Sequence, residues 1–248
     1  MGWLRQKYTR EYFLQRDAAG NRLSYGVHGV EWWEKGVIYP EAEDILSSLD
    51  LRAAMVLDVG FGRGEAIRYC VTHGARHVVG VDFAEVTLEI AQSTTLRGIS
   101  STQYTLVNAD ILDYLADRSD VCRFSHILML DVIEHIPRFE TERILPDLFR
   151  RLVPGGCLVV HTPFGPEDDD LFITGGKVSC KDSSDLCDET KGMHINRYSS
   201  AGLAAQLGRH RFCRWTDYVF VRRTFVPMCW YRGLGRRTLA RLCGYRVR

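Results

Sequence analysis

Four side chains in the second half of the chain have the types and spacing to move a proton or hold a metal ion. Asp131, Glu134 and His135 fall within Asp131-Val-Ile-Glu134-His135, and His194 lies some sixty residues further on. On a helical turn, positions i, i+3 and i+4 project to one side, so the first three would face a common space. Two uses follow. His135 or His194 serves as a general base for a hydroxyl proton, helped by Glu134. Alternatively, Asp131, Glu134, His135 and His194 form a mixed oxygen and nitrogen site suited to Mg²⁺, Mn²⁺ or Fe²⁺. A third reading has Glu134 and His135 only capping or bracing the core. Cys180, Cys187 and His194, spaced by seven, offer soft ligands for zinc but match no compact finger pattern.

A second group precedes these. Asp58-Val-Gly60-Phe61-Gly62-Arg-Gly64 is a glycine-rich run after a β-rich stretch, where backbone can approach a ligand and the next helix offers unpaired N–H groups. A dinucleotide loop wants a third glycine where Glu65 stands. Asp58 would repel a pyrophosphate, yet suits the ammonium of a bound methionine moiety. Asp82 ends the next apolar run, where an acidic side chain accepts ribose hydroxyls in Rossmann-type sites. Phe83 can pack on an adenine face. Asp110 either accepts the adenine amine or caps a helix. Phe61, Ile111 and Leu130 are the further expected cofactor contacts.

Elements that would place these residues can be read from residue 54 to 163. Short β-rich runs (Met55–Val59, His77–Val81, Gln103–Val107, Phe124–Leu130, Cys157–His161) alternate with helical stretches near Arg63–Thr72, Ala84–Gln92, Ile111–Ala116 and Glu140–Leu152. That alternation predicts an α/β fold with a mostly parallel sheet and helices on both faces. Residues 1–50 are aromatic-rich and read as a helical lid segment, with Tyr8 and Tyr12 at i, i+4 as its substrate-facing residues. The main domain is expected over 51–227, with a polar insertion at 164–193 after the fifth strand, and a basic amphipathic tail over 228–248. Phe212–Val226 shows no turn that would split it into a final hairpin.

VLDVGFGRGEA (56–66), VVGVDFAEVTLEIA (78–91), NADILDYL (108–115), HILMLDVIEHIP (126–137) and LVPGGCLVVHTP (152–163) resemble the ordered motifs of class I methyltransferases. They are similar to the ubiquinone O-methyltransferase group, as is MHINRYSSAGLAAQL (193–207). The resemblance implies a Rossmann-like seven-stranded sheet and S-adenosylmethionine as cofactor, with Asp58, Gly60, Gly62, Asp82 and Asp110 as contacts. The acidic residue, Glu-His pair and distant His also resemble the magnesium site of small-RNA 2′-O-methyltransferases, with Asp131 where that pattern has Glu.

Composition narrows the partners. The 248 residues carry a formal charge of +1, so the chain as a whole is no polyanion binder, although eight arginines and no acidic residue follow Asp217. That basic end is read as a contact for anionic lipid, a phosphate contact, or a solvated amphipathic end. The eight cysteines are scattered, without a CxxC pair, which fits reduced thiols and a cytoplasmic protein. No run reaches membrane-spanning length and no signal peptide opens the chain. The expected activity is O-methylation of a small hydroxylated acceptor, a sugar, glycan or natural-product intermediate before a phenol. Alternatives are a metal-dependent small-RNA 2′-O-methyltransferase and a non-catalytic cofactor-binding partner subunit. No feature encodes the oligomeric state.

Overall fold

The computed structural model describes residues 6–16, 19–20, 27–117, 122–162, 196, 198, 200–216 and 243–246. Three helices come first: α1 (Arg10–Leu14), α2 (Val27–Glu34) and α3 (Pro40–Ser47). Then β1 (Met55–Val59), α4 (Glu65–Thr72), β2 (His77–Asp82), α5 (Glu85–Ile90, continued as a π-helical turn over Ala91–Thr95), β3 (Tyr104–Asn108), α6 (Ile111–Ala116) and β4 (Phe124–Leu130) alternate. A 3₁₀ turn (Ile133–His135), α7 (Arg138–Arg151), β5 (Leu152–His161), α8 (Ser200–Arg209), β6 (Cys213–Thr216) and β7 (Cys243–Arg246) follow.

The parallel strands lie in the order β3-β2-β1-β4-β5. Strand β1 pairs with β2 on one side and β4 on the other. The chain therefore reverses direction across the sheet beside β1 and opens a crevice at the carboxyl ends of β1 and β4, where open α/β sheets bind ligands. Two four-residue strands extend the β5 edge: β7 pairs antiparallel with β5, and β6 with β7. The described partner of Cys213–Thr216 is Cys243–Arg246.

Both faces of the sheet are covered, which is why the strands read as near-continuous apolar runs. Period-two alternation sends Val56, Val78, Leu128 and Val159 to a core shared with α3 and α4 through Ile45, Leu46, Ile67 and Cys70. Leu57, Val79, Ile127, Met129, Leu158 and Val160 face the other core, against Ile144, Leu145 and Leu148 of α7 and Leu203 and Leu207 of α8. Ile38, Ala42, Ile45, Leu46 and Leu49 are buried in the first core, so the last part of the 1–50 segment is structural. The lid expectation applies to what precedes it. The 164–193 insertion, His194, Cys180, Cys187 and most of the tail lie outside the described residues. Among the described residues, no helix is long and apolar enough to cross a membrane.

Candidate active site

The loop after β1 is built by close backbone approach. Gly60, Gly62 and Gly64 have φ of +69°, +52° and +85°. A Cβ on Gly60 would sit 2.7 Å from Val132 Cγ2, and one on Gly64 would sit 3.1 Å from Ala91 Cβ. The loop is tied to β2 through Asp82, whose Oδ2 accepts the Gly62 N–H (2.9 Å) and whose Oδ1 accepts the Ala84 N–H (2.9 Å). Gly64 precedes α4 and lies behind the loop, off the cavity wall.

A cavity of about 450 Å³ opens at this crevice. Asp58, Gly60, Phe61, Gly62, Asp82, Phe83, Asp110, Ile111, Leu130, Asp131, His135, Tyr8 and Tyr12 all line it, so most of the residues expected from sequence meet in one space. Asp58 is 2% exposed and its Oδ2 has no hydrogen-bond partner. Burial, with Asp82 and Glu65 nearby, pushes its carboxyl up to about 8. A buried carboxylate lacking a donor is costly unless a ligand supplies one. A ligand ammonium is the chemistry that fits. Burial raises Asp82 to about 6, against the two N–H groups that favour its ionised form. Asp110 caps α6, its Oδ1 accepting the Leu112 N–H at 2.8 Å, so the capping role holds alongside its place on the wall.

The N-terminal segment closes one side. Tyr8 packs edge-on against Phe83 (4.9 Å between centroids), Tyr12 (5.1 Å) and His135 (6.0 Å). Burial raises the Tyr8 phenol well above its ordinary value, so it stays protonated at neutral pH. Arg63 clips the segment down, donating to Phe13 O (2.9 Å), pairing with Glu65 (2.7 Å) and stacking over Trp33 (5.5 Å).

The expected common face of Asp131, Glu134 and His135 is not formed. Asp131 has φ +54° and only Ile133–His135 makes a 3₁₀ turn, so the i, i+3, i+4 helical spacing does not apply; Asp131 and His135 line the cavity, while Glu134 is buried beside it. His135 reaches the cavity. Glu134 is 1% exposed, off the cavity wall, with Oε2 accepting from Thr162 Oγ1 (3.0 Å) and its nearest oxygen 4.0 Å from His135 Nε2. Burial and then Asp131 push Glu134 up to about 8. Asp131 instead meets two residues that sequence reasoning missed. Tyr39 OH donates to its Oδ2 (2.7 Å), and His161 Nδ1 lies 2.8 Å from its Oδ1. Burial alone would raise Asp131, but His161 and Tyr39 outweigh it and hold the carboxyl below its usual range. Among the described residues, no group of three His, Cys, Asp or Glu side chains could hold a metal ion. The sequence signal for His161 was its position as the last residue of a parallel strand; Tyr39 left none.

Fold and site together define a Rossmann-like domain with a buried, unpartnered carboxylate beside the glycine loop, a place for a ligand ammonium. Comparison with known proteins agrees. Residues 56–156 match the methyltransferase domain family. The ubiquinone biosynthesis O-methyltransferase of Neisseria meningitidis serogroup C is 28% identical over 194 residues, covering 66% of this chain and 80% of that protein. Its Pseudomonas fluorescens counterpart is 28% identical over 140 residues, covering 53% of this chain; the match takes in only 57% of that relative's length. The SAH-bound magnesium protoporphyrin IX methyltransferase of Synechocystis PCC 6803 has the same fold, with a TM-score of 0.60 at 17% identity, over 99% of this chain and 98% of the other. An S-adenosylmethionine-dependent methyltransferase structure from Listeria monocytogenes, itself of assigned rather than tested function, superposes with a TM-score of 0.56 at 18% identity over 87% and 99%. In sequence over residues 56–156 and in fold, the chain is therefore similar to class I S-adenosylmethionine-dependent methyltransferases.

Proposed function

We propose that the protein transfers a methyl group from S-adenosylmethionine to a hydroxyl of a small acceptor, a sugar, glycan or natural-product intermediate. The observation that carries this reading is one cavity lined by both His135 and Asp58, whose Oδ2 has no hydrogen-bond partner. Likeness to proteins named as O-methyltransferases supports oxygen as the acceptor atom.

When bound, the cofactor supplies an electrophilic methyl group on a sulfonium. Asp58 would hold its ammonium, the spare lone pairs of Asp82 would accept from its ribose hydroxyls, and Phe83 would pack on its adenine. His135 accepts the proton from the acceptor hydroxyl, while Tyr8, Tyr12 and Phe13 keep water out. Most of the enzyme's contribution is alignment of the acceptor oxygen with the donor. The same reading places the protein in the cytoplasm and completes a seven-stranded sheet with β6 and β7. It gives the basic tail a peripheral contact with anionic lipid.

Incubating the protein with methyl-labelled S-adenosylmethionine and fractionated extract, with and without chelator, tests the proposal. We expect a labelled methyl ether that forms equally with chelator, and loss of at least a hundredfold in kcat with His135→Gln. Label on nitrogen, or full activity in both the His135 and His194 variants, would overturn it.

A further inference from the structure

Asp131 occupies a left-handed backbone conformation directly after β4. Aspartate tolerates this region better than most residues, but the geometry persists only because the surroundings over-determine it. The Asp131 N–H donates to His161 O (2.9 Å), and the carboxylate bridges Tyr39 OH and His161 Nδ1. Tyr39 precedes α3 and His161 ends β5, so three distant segments converge on one side chain. That side chain keeps 41% of its accessible surface and lines the cavity. A carboxylate has about four acceptor positions. With one contact on each oxygen, Asp131 retains acceptor capacity on the cavity side.

Acidic side chains predominate on the described wall: Asp58, Glu65, Asp82, Asp110, Asp113, Asp131 and Glu140 line it, with Arg63 and His135. Arg63, also on the wall, is paired with Glu65 at 2.7 Å. Asp58 and Asp82 are assigned to the methyl donor, and Asp131 follows Leu130 at the end of β4 and lines the same cavity as His135. Once an acceptor displaces water from the cavity, like charges repel more strongly than in water.

We infer that Asp131 is the acceptor-recognition residue and that the acceptor is neutral or cationic, offering this carboxylate a hydrogen-bond donor, while phosphorylated acceptors are rejected. Tyr39 and His161 are positioning residues that fix the carboxylate. The inference rests on the methyltransferase reading and narrows its substrate class. An acceptor without the donor would bury the remaining lone pairs of the carboxylate without a partner, a mismatch that discriminates strongly.

The test uses the full chain and two matched series, one on a methyl glycoside and one on benzyl alcohol. Every member of a series keeps the same free hydroxyl as methyl acceptor and carries beside it a second hydroxyl, an amine or a phosphate monoester, and turnover is read as methyl ether at that hydroxyl. Binding is measured by calorimetry in the presence of S-adenosylhomocysteine, and turnover with the methyl donor. We expect the neutral or amine member to bind, with kcat/KM at least tenfold above the phosphate ester. Asp131→Asn should shrink that ratio below threefold, mainly through KM, with S-adenosylhomocysteine affinity within twofold of the parent. Tyr39→Phe should move the ratio the same way and carries the test if Asp131→Asn loses its melting transition. Preference for a phosphate ester, an unchanged ratio in the variants, or no binding of any member to protein that holds S-adenosylhomocysteine would overturn the inference. Failure to bind S-adenosylhomocysteine at all would instead sink the methyltransferase reading.

Discussion

The Gly62 N–H donates to Asp82 Oδ2 over 2.9 Å and locks the glycine loop after β1 onto the end of β2. Because Asp82 Oδ1 takes the Ala84 N–H as well, one carboxylate shapes the donor loop and the start of α5 together. Asparagine has one acceptor oxygen and would leave one of these two N–H groups without a partner. Asp82→Asn should therefore cost about 1–3 kcal/mol, read as a lower urea midpoint, and weaken S-adenosylhomocysteine binding at least tenfold. Parent-like values for both would show that the loop holds its shape without this tie.

Donor binding should depend on pH through Asp58. Its carboxyl stands at about 8 in the folded protein against an ordinary 3.8. The folded chain thus keeps a proton that the unfolded chain gives up, and ligand-free stability from this group falls as pH rises from about 4 to about 8. A ligand ammonium favours the ionised form, so binding below pH 8 expels that proton. Calorimetry should show affinity rising between pH 6 and 8, by up to about tenfold per unit, then levelling. Asp58→Asn should flatten the profile and weaken binding throughout.

Gly60→Ala combines a positive φ with a Cβ 2.7 Å from Val132 Cγ2. Valine is stiff at χ1 and cannot swing clear cheaply. We expect a loss of about 1–3 kcal/mol in chemical denaturation and donor affinity too weak to measure by calorimetry. Gly98→Ala is the contrast, since its added Cβ would meet nothing within 4 Å although its φ is also positive; it should bind donor normally.

Glu134 and His135 are neighbours with separable roles. Burial holds Glu134 at about 8, above its ordinary 4.5, so it carries its proton at neutral pH. Its contribution to stability declines as pH rises from about 4.5 to about 8. Glu134→Gln, which mimics the protonated form, should keep kcat within threefold and melt higher than the parent at pH 9. A hundredfold drop in kcat would return Glu134 to the catalytic machinery.

Arg63→Ala should loosen the N-terminal segment without disturbing the sheet. Arg63 joins Phe13 O, Glu65 and the Trp33 ring while only 14% of its side chain is exposed. Faster proteolysis between residues 6 and 16, weaker acceptor binding and a near-parent melting temperature are expected. Unchanged proteolysis would mean that the aromatic contacts of Tyr8 hold the segment alone.

Local rules carried the donor half of the site. Met55–Val59, Ile111–Ala116 and Phe124–Leu130 have the bounds expected from their periodicity, because apolar runs buried on both faces and an Asp110 cap leave little choice. Where strand ends are ordered, the residues at those ends fall together, and Asp58, Gly62, Asp82 and Asp110 do so. The reacting half was harder to read. A helical turn was expected from Asp131, but its left-handed backbone and the 3₁₀ turn send Glu134 away from the cavity.

The sequence by itself determined the parallel α/β order, the glycine loop and the chemistry of the donor, since each depends on neighbours a few residues apart. Only the tertiary structure decided that Asp131 meets Tyr39, 92 positions away, and His161 on the adjacent strand. It also decided that Arg63 holds the aromatic segment over the cavity. Contacts of that kind arise from strand order and from where α3 packs, and no local spacing records them.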